Sequence, residues 1–249
     1  MKRPIRLRNL VVLAVPGLLA LALALALLGS DPALPPVPDP YSRLPADQRP
    51  RTIDQADYLL RLPSQLDASR KHPLVVALAP DGAPRPLVNL WTPVSEQRKW
   101  LLFGSKTVRN GVDLNPQIEP LRRAIQEVIA RYPVDQRKVI VTGFSGGAMA
   151  SHDLAFELRD LVAATVLNTG MMGEWERARE ASRPRGKLAV FLASPTDFRY
   201  EQMKLDRQFL ERLGWNTTWI VFDGGHRSAP PWAVQRAAAW LDEQLPAGP

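Results

Sequence analysis

The chain has 249 residues, 45% of them hydrophobic, which suits one domain with a substantial core and argues against a disordered chain. A net charge of +7 would suggest a polyanionic partner, but Lys2, Arg3, Arg6 and Arg8 supply four of those charges within an acid-free first thirty residues, leaving +3 over the remainder. No basic run is interleaved with aromatics, so no nucleic-acid partner is expected, and the absence of cysteine excludes disulfides, thiolate zinc sites and a lipidated N-terminal cysteine.

Residues 1–30 join a basic start to an uncharged run rich in Leu, Ala and Val. From Leu10 to Leu28 this run is 19 residues long, close to the ~20 that span a bilayer as a helix and longer than the ~7–15 of an ordinary signal-peptide core. It reads as a membrane anchor, with a cleaved signal peptide as the alternative. The positive-inside rule keeps Lys2 to Arg8 in the cytoplasm and puts residue 31 onward outside, in the cell envelope, facing the periplasm or exterior, or secreted if the N-terminus is cleaved. Residues 31–50 hold seven prolines in twenty positions and read as an extended spacer. The folded domain is expected over 51–249.

Within that domain Tyr58 to Leu62 reads as a strand, followed by Leu74 to Leu78, a continuous apolar run typical of strands covered on both faces. Trp100 to Gly104 is the next strand, and Asn110-Gly111 marks a turn. Ile118, Leu121, Ile125, Val128, Ile129 and Tyr132 recur at helical spacing. A strand at Val139 to Thr142 leads into a helix from Ala148 to Leu158. Then come a strand at Leu161 to Leu167, a charged stretch from Glu174 to Arg185 and a strand at Leu188 to Ala193. A helix from Gln202 to Leu213, a strand at Thr217 to Phe222 and a helix from Pro231 to Leu245 complete the chain. Apolar strands alternating with amphipathic helices predict a mostly parallel sheet with helices on both faces, whose ligand site lies at the carboxyl ends of the strands. The roughly twenty residues between the strands at 161–167 and 188–193 leave no room for a large cap domain, so an open site is expected.

The chemistry centres on Gly143-Phe144-Ser145-Gly146-Gly147, between a strand and a helix. A serine at the sharp point of such a turn needs small residues two before and two after it, where strand and helix nearly collide. Gly143 and Gly147 fill both places. A serine hydroxyl needs a base to take its proton, and the base needs an acid to orient it. Of three histidines, His72 falls in a polar turn at the wrong end of the sheet and reads as a surface residue. His152 lies two helical turns beyond Ser145, directed away or into packing. His226, in Gly224-Gly225-His226 after the last strand, is the candidate base. Asp197, just after the strand at 188–193, is the candidate acid, ahead of Glu174, Glu201 and Asp223. Trp240 reads as a packing residue, whereas Trp91, Trp175 and Trp232 lie where loops could bring them to the site.

Three segments carry a resemblance: YLLRLPSQLDASRKHPLVVAL at 58–78, GFSGGAMASHDLAFE at 143–157 and DGGHRSAPPWAVQRAAAWL at 223–241. The chain resembles the α/β-hydrolase superfamily, in particular bacterial esterases related to polyhydroxybutyrate depolymerases, feruloyl esterases and dienelactone hydrolases. The resemblance implies Ser145 as nucleophile, Asp197 as acid and His226 as base, with no metal or organic cofactor. It implies a small-molecule or polymeric ester as substrate. It also implies an oxyanion hole made by backbone N–H groups, of which Gly146 is one. Relatives place His-Gly and a further glycine after the strand at 74–78; here Ala79-Pro80-Asp81-Gly82 stands there, and Pro80 has no N–H. The second donor falls to Asp81 or Gly82. This departure motivates a competing reading, a weak or inactive binding module of the envelope; a peptidase on the same fold, differing only in substrate, is a third.

Overall fold

The computed structural model describes residues 51–172 and 184–247. The expected anchor at 10–28, the spacer at 31–50 and most of the charged stretch at 174–185, with Glu174 and Trp175, lie outside the described residues. Among the described residues no helix is long and apolar enough to cross a membrane.

Eight strands form one sheet: β1 (Arg51–Asp54), β2 (Tyr58–Leu62), β3 (His72–Leu78), β4 (Leu101–Ser105), β5 (Val134–Phe144), β6 (Val162–Asn168), β7 (Leu188–Ala193) and β8 (Asn216–Val221), in the order β1-β2-β4-β3-β5-β6-β7-β8. The β1–β2 and β2–β4 pairs are antiparallel, and every other pair is parallel. Among the described residues the helices are α1 (Arg85–Arg98), α2 (Asn115–Arg131), α3 (Gly146–Glu157), α4 (Tyr200–Arg212) and, after β8, α5 (Pro231–Gln244).

Strand β3 shows why the sheet needs helices on both sides. All seven of its residues are buried, and because successive side chains point to opposite faces, Leu74, Val76 and Leu78 enter one core while Val75 and Ala77 enter the other. Leu121 and Ile125 of α2, Leu154 of α3 and Phe209 of α4 cover the first face. Leu87 and Trp91 of α1, with Ala233 and Leu241 of α5, cover the second. Trp91 is therefore a core residue, stacked on Trp100 at 6.4 Å between centroids, and does not reach a loop. His72 also departs from the surface position expected of it. It opens β3 in a buried position, where its Nε2 pairs with the Asp67 carbonyl at 2.8 Å.

At the start of β5, far along the strand from its carboxyl end, the Asp135 carboxylate accepts bonds from Arg137 Nε at 3.0 Å and Nη2 at 2.9 Å. These bonds hold its pKa below the ordinary aspartate value. A depressed native pKa means that the stabilisation is complete above the unfolded-state value and lost as pH falls through the native one. Asp135→Asn should therefore cost about 1 kcal/mol at neutral pH, a low figure because the half-exposed Arg137 is screened. Denaturant titrations at pH 7 and pH 3 should show the gap between variant and wild type shrinking in acid.

Candidate active site

The parallel strands bring their carboxyl ends to one edge of the sheet, and the loops that follow β3, β4, β5, β7 and β8 meet there. Strand β3 pairs with β5 through Leu78 and Gly143 and with β4 through Leu78 and Ser105. The turn at Ser145 thus has the loop after β3 as neighbour, and the loop after β4 lies just beyond.

Ser145 sits between β5 and α3 with φ 54° and ψ −118°, a conformation that serine rarely adopts. Its N–H donates to the Asn168 carbonyl at 3.0 Å, and its own carbonyl accepts the N–H groups of Ala148 and Met149 at 3.0 and 3.2 Å. These bonds tie the bend to β6 on one side and to the first turn of α3 on the other. The collision expected between strand and helix is visible at both glycines. A methyl group on Gly143 would lie 2.1 Å from the carbonyl carbon and oxygen of Gly147, and one on Gly147 would lie 2.0 Å from the Leu78 carbonyl oxygen.

Ser145, His226 and Asp197 come together. Ser145 Oγ lies 2.8 Å from His226 Nε2, and His226 Nδ1 lies 2.7 Å from Asp197 Oδ2. A carboxylate on Nδ1 fixes the proton there and leaves Nε2 as the acceptor for the serine O–H. The second oxygen of Asp197 accepts the Arg199 backbone N–H at 2.7 Å. The imidazole neighbours two aromatic rings, Phe144 at 5.3 Å and Phe198 at 4.7 Å between centroids. Its loop is fastened by several bonds: Gly225 N–H donates to Ser194 Oγ at 2.9 Å, Thr169 Oγ1 donates to the Arg227 carbonyl at 3.4 Å, and the Asn168 side chain accepts the Ala229 N–H at 3.0 Å and donates to Ser228 Oγ at 3.2 Å.

The remaining candidates lie elsewhere. Glu201 pairs with Lys204 on the exposed side of α4, and Asp223 is exposed in its loop. His152 is buried in α3, packed towards Phe156 and Phe191 at 6.5 and 6.4 Å. Trp232 is 48% exposed in the first turn of α5. Gly146, the first residue of α3, lies next to Ser145. In the loop after β3 the Gly82 N–H donates back to the Ala79 carbonyl at 3.1 Å, closing a turn with Pro80 at its second position. The Asp81 carboxylate accepts the Ala83 N–H at 2.9 Å.

Two residues at the site escaped the sequence reading. Arg199 is buried, and its Nη1 donates to Ser145 Oγ at 2.6 Å. Phe198 is 68% exposed, and its ring is tilted against His226. The only sequence signal for either was position, one and two residues beyond the candidate acid. Among the described residues no cluster of His, Asp or Glu is arranged to hold a metal.

No family model and no curated protein matches the chain by sequence. Solved structures do match it. A thermostable esterase superposes with TM-score 0.57 at 17% identity, over 79% of this chain and 62% of its own. A carboxylesterase from Bacillus cereus gives 0.61 at 18%, over 76% and 94%. A putative dipeptidyl aminopeptidase IV from Bacteroides ovatus gives 0.60 at 13%, over 84% of this chain and 37% of its own. The chain thus spans under two thirds of the first and barely over a third of the last. The topology and these likenesses give the chain the α/β-hydrolase fold.

Proposed function

We propose that this protein is a serine hydrolase of the carboxylesterase type, acting on a small-molecule or polymeric ester. The observation that carries the reading is the run of hydrogen bonds from Asp197 through His226 to Ser145, ending on a serine held in a strained backbone conformation. His226 Nε2 takes the Oγ proton as Oγ attacks the ester carbonyl, and it passes that proton to the leaving alcohol oxygen as the C–O bond breaks. Asp197 keeps the imidazole oriented and stabilises its protonated form. Water then attacks the acyl-enzyme, giving its proton to His226, which returns it to Oγ as the acid leaves. The Gly146 and Asp81 N–H groups would face the oxyanion, while the Asp81 carboxylate is occupied by its own turn.

Arg199 adds a donor to the nucleophile itself. With the O–H of Ser145 directed to His226, the oxygen still has lone pairs for attack and for Arg199 Nη1. A cation on Oγ favours the loss of its proton and, in deacylation, its departure from the acyl carbon. Because charged hydrogen bonds contribute about 1.5–3 kcal/mol, Arg199→Ala should lower kcat by about ten- to a hundredfold. Single-turnover kinetics with a neutral chromogenic ester will measure this, and Arg199→Lys should recover part of the loss.

A fluorophosphonate probe tests the central claim. The folded wild type should label stoichiometrically, with labelling lost in Ser145→Ala and His226→Ala. A correctly folded wild type that does not label would favour the binding-module reading instead. The likeness to a dipeptidyl aminopeptidase keeps a peptidase as the second reading, and turnover of peptides rather than esters across a mixed panel would select it. The same proposal holds the domain at the outer side of a membrane through residues 10–28, and N-terminal sequencing of the mature protein tests that part.

A further inference from the structure

The loop after β3 is short of donors. Pro80 has no N–H, and the Gly82 N–H is spent on the Ala79 carbonyl. Beside it lies the loop after β4, fastened by the Asn110 N–H donating to the Pro80 carbonyl at 2.8 Å. That bond sets the Asn110 side chain across the end of β3 and against Gly146. A methyl group added to Gly146 would lie 1.9 Å from Asn110 Oδ1, 2.7 Å from Cγ and 2.9 Å from Nδ2. The amide therefore packs onto the α-carbon of the residue that follows the nucleophile. Asn110 is also exposed and lines a cavity of about 200 Å³ together with Val108, Val112, Leu114, Gly146 and Met149.

Resting on the serine-hydrolase reading, we propose that the Asn110 side chain is an oxyanion-hole donor, supplying through Nδ2–H the hydrogen bond that Pro80 cannot make. The two ends of a primary amide are nearly equal in size, so a half-turn about Cβ–Cγ presents Nδ2–H where Oδ1 lies, without new crowding. The same argument explains why Gly146 has no side chain, since any Cβ there would occupy the space of the amide. An amide donor close to the reacting carbonyl acts on the charge that appears in the transition state and little on the neutral ester. Its loss should therefore appear in kcat rather than in KM.

The test uses the full-length protein in detergent with a short neutral p-nitrophenyl ester and a phenylboronic acid, whose tetrahedral anion mimics the intermediate. Asn110→Ala should lower kcat about 10²-fold, leave KM within a few-fold, and weaken boronate binding in proportion to kcat. Asn110→Asp, the same size but carrying a charge in place of a donor, should lose at least as much at neutral pH. Both variants should still label fully with a fluorophosphonate on long incubation, which shows that Ser145 and His226 remain in place. A kcat within about threefold of the wild type in both variants, or a change confined to KM, overturns the proposal while leaving the serine-hydrolase reading standing. A wild type that neither hydrolyses the ester nor labels overturns both. If Asn110→Ala melts below the assay temperature, the isosteric Asn110→Asp decides alone.

Discussion

Ser145→Ala is expected to lower kcat/KM for an ester by about 10⁴-fold or more without unfolding the protein. In the proposed mechanism the loss is this large because Oγ is the atom that would form the acyl-enzyme, and neither His226 nor Arg199 can offer a substitute nucleophile there. What remains is attack by water on a carbonyl still polarised by the oxyanion donors. The fold should survive, since alanine removes only the oxygen whose partners are His226 Nε2 and Arg199 Nη1. Melting temperature should change little, or rise slightly if the strained Ser145 site relaxes. Asp197→Asn should cost about 10⁴-fold in kcat, because an amide in place of the carboxylate can donate to Nδ1 and hold the wrong imidazole tautomer. The double variant Ser145→Ala/Asp197→Asn should be no slower than Ser145→Ala alone, as expected of groups that act as one unit. A Ser145→Ala protein retaining a tenth of wild-type turnover would sink the assignment of the nucleophile.

Gly143→Ala is expected to act through stability. The added methyl would meet the Gly147 carbonyl carbon and oxygen at 2.1 Å and the Ala148 nitrogen at 2.6 Å. All three are backbone atoms at the start of α3, so no side-chain rotation relieves the overlap. The helix start must shift away from β5, and it cannot do so freely. Gly147 is wedged against the Leu78 carbonyl, and Ser145 N–H is held by the Asn168 carbonyl. Overpacking a rigid site typically costs 1–3 kcal/mol, and a backbone-to-backbone clash belongs at or above about 3 kcal/mol. Chemical denaturation should show this as a lowered midpoint, accompanied by lost fluorophosphonate labelling in the fraction that still folds. Gly111→Ala, at a glycine with no atom within 4 Å of its would-be methyl, is the control for the loop after β4; its φ of 75° should make it cost only backbone strain.

Much of the sheet was legible in the sequence because strands buried on both faces read as apolar runs, and β2 and β7 fall where those runs stand. The elbow was legible because its requirement is local, two glycines flanking a serine within five residues. Asp197 and His226 could be nominated because both follow a strand. Helix α1 was not legible. Pro84 at its cap, Pro86 in its first turn and Pro93 inside it are signals that argue against a helix. The helix forms nonetheless because Leu87, Val88, Leu90, Trp91 and Val94 bury against the sheet, a tertiary gain that propensity does not contain. Strand β1 was missed because its residues are mostly exposed and show no apolar run. Arg199 and Asn110 were missed for a different reason. Their significance lies in contacts with Ser145 and Gly146, residues remote in sequence, and nothing in their neighbours announces such a partner.

The three side chains in hydrogen-bonded sequence at the site come from three loops, and the last of them, at His226, follows β8, the final strand to be synthesised. A ribosome-bound chain therefore displays Ser145 well before it owns a base. During that interval the serine has no Nε2 to receive its proton, and it is no more reactive than any other alcohol. On the serine-hydrolase reading, hydrolysis would begin only when β8 has paired with β7 at that edge of the sheet. On that reading catalytic competence would await the C-terminal segment, and a chain crossing a membrane unfolded would carry a dormant nucleophile until it had refolded on the far side.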